Sequence, residues 1–117
     1  MDTRRKGKRG EDQACRYIEE MGGRIVERNY RTRMGEIDIV AEDRGILCFV
    51  EVKYRKDRSA GYPAEAVDAR KQYIISRVSD HYRMRRHLSE DRSFRFDVLS
   101  IMGDDREWLK DAFPYIP

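Results

Sequence analysis

Residues 35–53 read GEIDIVAEDRGILCFVEVK, and the reading of this stretch decides the fold. Two apolar runs, 37–41 and 46–52, flank the charged segment Glu42-Asp43-Arg44-Gly45. Short runs rich in Ile and Val on either side of a tight turn predict a β-hairpin. The same stretch carries Glu36, Asp38, Glu51 and Lys53. Charged side chains enter a buried strand when they pair or hold an ion, because an unpaired charge is costly to desolvate.

Strand parity sorts these charges. Residues two apart share a face, so Glu51 and Lys53 point one way and Val52 the other. If the hairpin loop holds an even number of residues, cross-strand partners have an odd position sum, and Asp38 falls on the face of Glu51 and Lys53. Glu36 shares it, either as an accessory carboxylate or as the partner of an arginine. Two carboxylates and an ammonium then converge at one end of the ribbon. Mg²⁺ suits such a place, with hard oxygen ligands and waters left for a substrate phosphate. A surface hairpin with ordinary ion pairs on its polar face is the alternative reading of the same spacing.

Asp38 followed by Glu51-Val52-Lys53 resembles the signature of the PD-(D/E)XK nuclease superfamily, with Ile37 in place of the proline. More closely, GEIDIVAED, FVEVKYR, Gly61-Tyr62-Pro63 and Arg95-Phe96-Asp97 resemble the YraN-type family. Those are small bacterial proteins similar in fold to archaeal Holliday-junction resolvases, and the likeness runs from residue 7 to residue 113. The resemblance implies a divalent-metal-dependent endonuclease hydrolysing phosphodiesters in branched or structured DNA. It implies that Asp38, Glu51 and the carbonyl of Val52 hold Mg²⁺ or Mn²⁺. Lys53 would orient the attacking water or stabilise the phosphorane, Glu11 would be a third carboxylate, and Lys71, rather than Gln72, would contact the phosphate. A silent nucleic-acid-binding module of the same fold is the rival expectation.

The chain has 117 residues, suited to one domain over 1–117 with a modest core. Charged residues make up 40% and hydrophobic ones 39%, so the composition is polar yet not that of a disordered chain. Cys15 and Cys48 sit inside apolar patterns and read as buried thiols of a reducing cytoplasm. With no CxxC or Cys/His cluster, a structural zinc is not expected. The longest apolar run, 46–50, is too short for a membrane span. A homodimer is as compatible with the sequence as a monomer.

Taken in order, residues 1–6 read as a flexible basic arm. Arg4, Arg5, Lys6, Lys8 and Arg9 against Asp2 leave a net charge of +4 suited to a phosphate backbone. From 7 to 21 the pattern is helical, with Ala14, Tyr17, Ile18 and Met21 on one face, Glu11 at its edge, and Gly22-Gly23 ending it. A strand over 24–30 leads to a turn crowded by Arg28, Arg31 and Arg33. Tyr54, Arg55, Lys56 and Arg58 form an expected DNA-facing rim past the hairpin. Pro63 suits the first turn of a long helix reaching about residue 86, with Val67, Ile74, Ile75, Val78 and Tyr82 as its apolar stripe. His81 and His87 read as surface residues. Strands over 94–101 and 107–113 follow, with Trp108 and Phe113 in the core. The order αβββαββ predicts an α/β, restriction-endonuclease-like mixed central sheet flanked by helices, its hairpin antiparallel and its crossover helix permitting a parallel neighbour. Arg4, Arg5, Lys8, Arg33, Arg55 and Lys71 are the expected nucleic-acid contacts.

Deleting residues 1–6 should weaken nucleic-acid binding about equally across substrates. Each phosphate that the arm no longer neutralises should flatten the log–log salt slope by about 0.9 for duplex DNA, and a titration of binding against salt reads it.

Overall fold

A computed structural model of the chain describes residues 3–57 and 67–117, with 3–9 described by backbone only. Helix α1 (Thr3–Glu20) is followed by strands β1 (Arg24–Arg31), β2 (Glu36–Asp43) and β3 (Ile46–Tyr54), then helix α2 (Ala69–Arg85), β4 (Phe94–Met102) and β5 (Asp105–Phe113). This is the expected αβββαββ order. The strands form one sheet in the order β1-β2-β3-β4-β5, antiparallel throughout except for the parallel pair β3–β4. Among the described residues no helix is long and apolar enough to cross a membrane.

The central hairpin closes as its sequence demands. Arg44 and Gly45 form a two-residue loop with φ of 53° and 84°, and two positive φ values match the right-handed twist of the flanking strands. The loop is even, so Asp43 faces Ile46 and Ile39 faces Val50. The second hairpin is tighter than expected. Its β5 begins at Asp105 rather than at 107, because Gly103, with φ of 59°, allows a turn directly after Met102.

Both helices start elsewhere than expected. The backbone of α1 is helical from Thr3, ahead of residue 7, and so takes in residues 3–6 of the basic arm. The side chains of Arg4, Arg5 and Lys8 lie outside the described residues. The second helix starts at Ala69, not at Pro63, because the Asp68 side chain accepts the Lys71 N–H at 2.9 Å and caps it there. Pro63, Gly61, Tyr62 and Arg58 lie outside the described residues. Val67 is buried, but it precedes the helix instead of belonging to its stripe.

One helix packs on each face of the sheet. Ala14, Cys15 and Ile18 of α1 bury Ile39, Ala41, Cys48, Val50 and Leu99. Ile75, Val78 and Tyr82 of α2 bury Val40, Phe49, Phe96 and Val98. Both cysteines are free thiols in buried positions, as their apolar context predicts. Burial raises both thiol pKa values, that of Cys48 to about 12, so neither is a reactive thiolate. Phe113 is buried, and Trp108 packs against the α1-side cluster.

That side of the sheet also holds a charge network that apolar patterning cannot announce. Asp97 is fully buried and takes Arg95 Nε at 2.9 Å, the Trp108 indole N–H at 2.9 Å and the Asp111 amide at 2.9 Å. Arg95 reaches on to Asp43 at 2.8 Å, which Lys110 also meets at 2.8 Å. Hydrogen bonds from Lys110 and Arg95 hold the Asp43 carboxyl below its ordinary pKa. Removing a partner from such a network strands buried charge. Asp97→Ala should therefore cost about 3–5 kcal/mol in urea denaturation, whereas Lys110→Ala, at a half-exposed end, should cost at most about 1 kcal/mol. Similar small losses for both would show that the network does not hold these strands.

Candidate active site

The site lies where β2 leaves β3. Their ladder of facing residues stops at Ile39–Val50. Two residues earlier along β2, Ile37 packs into the cluster under α2, whereas Ile39 packs into the one under α1. Regular alternation would put both on one face, so β2 turns over at Asp38. On β1, Asn29 stands opposite this point, between the pairs Arg28–Ile39 and Tyr30–Ile37, and it holds φ of 54°. Asparagine is among the few residues that tolerate this left-handed region. The twist opens a fork, and Asp38 Oδ2 fills it by accepting the Val52 N–H at 2.8 Å.

Glu51 stands beside the fork on the α2 face, nearly buried. Lys53 Nζ lies 3.7 Å from Glu51 Oε1, and Lys71 Nζ, from the first turn of α2, lies 3.9 Å from the same oxygen. Gln72 instead donates to the Val67 carbonyl at 2.9 Å. The electrostatics follow from crowding. Burial, then the charge of Glu51, raises the Asp38 pKa to about 7, with Glu36 and Glu11 adding and the Val52 amide opposing. Burial also raises Glu51, against the pull of Lys71 and Lys53.

The other expected residues are placed less centrally. Glu11 sits on α1, and its carboxylate accepts Asn29 Nδ2 at 2.9 Å and Arg28 at 3.4 Å. It feels Asp38 through space, yet among the described residues no three acidic, histidine or cysteine side chains gather as a metal-holding group. The assembled unit is the pair Asp38 and Glu51, with Glu11 held on Asn29. Glu36 bonds Arg31, the arginine-paired option. Arg33 is exposed on the turn, and Arg55 continues β3 by donating its amide to the Ile101 carbonyl at 2.8 Å.

Three contacts had little signal in the sequence. A Cβ on Gly10 would fall 1.3 Å from the Tyr54 hydroxyl, so this glycine lets α1 press against the end of β3 and sets Glu11 near the fork. A Cβ on Gly35 would fall 2.6 Å from Ile74, so the turn entering β2 passes close over α2. The side chain of His81, although exposed, meets the Tyr30 hydroxyl at 2.6 Å. Glycines beside GE and GEID hinted at the first two, but their neighbours are distant in sequence.

Two desolvated carboxylates with no soft ligand beside them fit Mg²⁺ or Mn²⁺, which take one or two carboxylates and complete their shell with water and phosphate oxygens. Burial first, and the neighbouring Glu51 charge second, disfavour the ionised Asp38 carboxyl, and a cation held by the pair would oppose both.

Comparison with known proteins gives the chain relatives over most of its length. The family model described as "Uncharacterised protein family UPF0102" matches residues 10–101, which include the fork, both carboxylates and both lysines. A UPF0102 protein of Persephonella marina is 42% identical over 108 residues, 92% of each chain. One from Lachnoclostridium phytofermentans is 41% identical over 97% of this chain and 96% of its own. One from Syntrophus aciditrophicus is 45% identical over 93% of this chain and 88% of its own.

The Asp38 shift has a sign that denaturation can read. Its folded pKa of about 7 exceeds the unfolded value of about 3.9, so the folded state binds the extra proton between them. This contribution to stability is present at low pH and is lost as pH rises toward and through 7. The slope is at most about 1.4 kcal/mol per pH unit. Urea denaturation in EDTA at pH 5 to 8 should show this falling component in the wild type and not in Asp38→Asn. Identical slopes would mean that Asp38 titrates as an ordinary carboxyl.

Proposed function

Since the chain belongs to the uncharacterised protein family UPF0102, its chemistry has to be argued from its own side chains, and we propose that it is a divalent-metal-dependent endonuclease of PD-(D/E)XK type. Its substrate is branched or otherwise structured DNA, as the resemblance to junction resolvases suggests. The observation that carries the reading is the convergence of Asp38, Glu51, Lys53 and Lys71 on one strand fork.

Asp38, Glu51 and the Val52 carbonyl would hold Mg²⁺ or Mn²⁺. When bound, the ion supplies Lewis acidity and a water of lowered pKa. The Val52 amide fixes the Asp38 carboxylate by occupying Oδ2, so the ligand needs little reorganisation. Lys53 and Lys71 arrive from different elements, β3 and α2, and both end within 4 Å of Glu51. A phosphate entering the fork would meet an ammonium from each. Lys53, on the same strand as Glu51, is placed to hold the attacking water or the charge that develops on the phosphoryl oxygens. Lys71, at the capped start of α2, is placed to anchor the phosphate before reaction.

The test is a set of four-way junction, flap, duplex and single-stranded DNA substrates, with and without Mg²⁺ or Mn²⁺. Cleavage of a structured substrate should require the metal. Asp38→Ala, Glu51→Ala and Lys53→Ala should each lower it by at least about 100-fold while leaving DNA binding largely intact. Binding with no metal-dependent cleavage of any substrate would favour the silent module instead. An independent readout is thermal: if the site binds with a Kd of about 1 mM, about 10 mM Mg²⁺ adds roughly 1.4 kcal/mol. That raises the wild-type Tm by about 4–8 °C and should do little for Asp38→Asn at matched ionic strength.

A further inference from the structure

Strand β1 changes face in step with β2. Arg28 stands opposite Ile39 and reaches Glu11 and Asp12 of α1, at 3.4 and 2.8 Å. Tyr30, two residues further on, stands opposite Ile37 and packs into the cluster under α2. Side chains two apart in a regular strand share a face, so β1 reverses at Asn29, directly across from Asp38. The left-handed φ of 54° at Asn29 is where that reversal is made.

The residue type at this point is informative. Glycine, asparagine and aspartate are the residues that visit the left-handed region routinely. Of these three, only asparagine carries a side-chain N–H, and here it donates to Glu11 Oε2 at 2.9 Å. Arg28 donates to the same oxygen, so neither donor occupies Oε1. Without the Asn29 amide, Glu11 would keep only this 3.4 Å contact, on a guanidinium that Asp12 holds more closely. The Glu11 side chain is only 16% exposed. Burial, then the charges of Glu11 and Asp38, raise the pKa of the Tyr54 hydroxyl, so both carboxylates lie around the end of β3.

Among the described residues Glu11 does not gather with Asp38 and Glu51 into a metal-holding group. Its charge therefore acts from beside the pair. Mg²⁺ keeps several of its waters when it binds, and a fixed carboxylate next to the ligands can accept from them. We propose that Asn29 is a positioning residue of the metal site, holding the Glu11 carboxylate next to the fork so that its charge favours the hydrated cation. The inference rests on the metal-dependent reading of the fork and adds to it a determinant that is no ligand. Partners that orient the surroundings of a metal commonly change its affinity by about 10- to 100-fold.

The experiment measures Mn²⁺ binding to the full chain by the paramagnetic resonance of the free ion, at matched ionic strength. Asn29→Gly keeps a residue suited to the left-handed φ and removes the amide, so its Tm in EDTA should stay close to that of the wild type. Its Mn²⁺ Kd should rise by about tenfold, and that of Glu11→Gln by a similar factor. The double variant should bind no more weakly than Glu11→Gln alone, because Asn29 acts through the Glu11 charge. A further tenfold loss from Asn29→Gly in the Glu11→Gln background would overturn the proposal and leave Asn29 a purely backbone role. An unchanged Kd for Asn29→Gly would also overturn it, and so would tighter binding, which would make the amide a restraint that keeps Glu11 away. Asp38→Asn separates this outcome from the reading beneath it. If wild type and Asp38→Asn bind Mn²⁺ alike, the metal site and the nuclease reading fall together. If binding needs Asp38 and ignores Asn29, only the assignment of Asn29 falls.

Discussion

The bond from the Val52 amide to the Asp38 carboxylate is the contact on which the site depends. A backbone N–H near the middle of a sheet needs an acceptor, and here a neighbouring strand supplies a side chain in place of a carbonyl. That substitution is possible because β2 turns over between Ile37 and Ile39, with the left-handed Asn29 beside it on β1. The same turn brings a carboxylate against Glu51 and removes both from much of the solvent. Local irregularity, like-charge crowding and the arrival of two lysines are therefore one arrangement, not several.

The rest of the molecule keeps that arrangement in place. Helix α1 is pressed onto the end of β3 at Gly10 and Tyr54, and α2 is started by Asp68 so that Lys71 falls on the fork. At the other end of β3, charge is handled in the opposite way. Asp97, Arg95, Asp43 and Lys110 form a network in which each carboxylate meets a cation and Asp43 is held below its ordinary pKa. One end of the sheet thus neutralises its buried acids, whereas at the other Glu51 meets two lysines and Asp38 is held by a backbone amide beside the Glu51 charge. Strain of this kind is retained where a site needs it and is offset by packing elsewhere.

Much of the fold was legible because the hairpin is locally coded. The Ile- and Val-rich runs, the turn at Arg44-Gly45 and the odd position sum all lie within twenty residues, and the observed register follows them. The helical face of Ala14 and Ile18 and the burial of both cysteines were readable for the same reason. Helix starts were less so. The start of α2 at Ala69 rests on the cap that the Asp68 side chain forms, a bond that exists only in the folded chain.

By itself, then, the sequence determined the element order, the antiparallel hairpin and the candidates Asp38, Glu51 and Lys53, since periodicity and turn chemistry act over a few residues. Tertiary structure decided the rest. The reversal of β2 at Asp38 depends on Asn29 across the sheet, the placement of Glu11 depends on that same asparagine, and Lys71 reaches Glu51 across a connection that no short-range rule spans. The charge network from Arg95 to Asp43 likewise joins residues more than fifty positions apart. Such contacts are set by which strands lie side by side and how they twist, and that is a property of the assembled sheet.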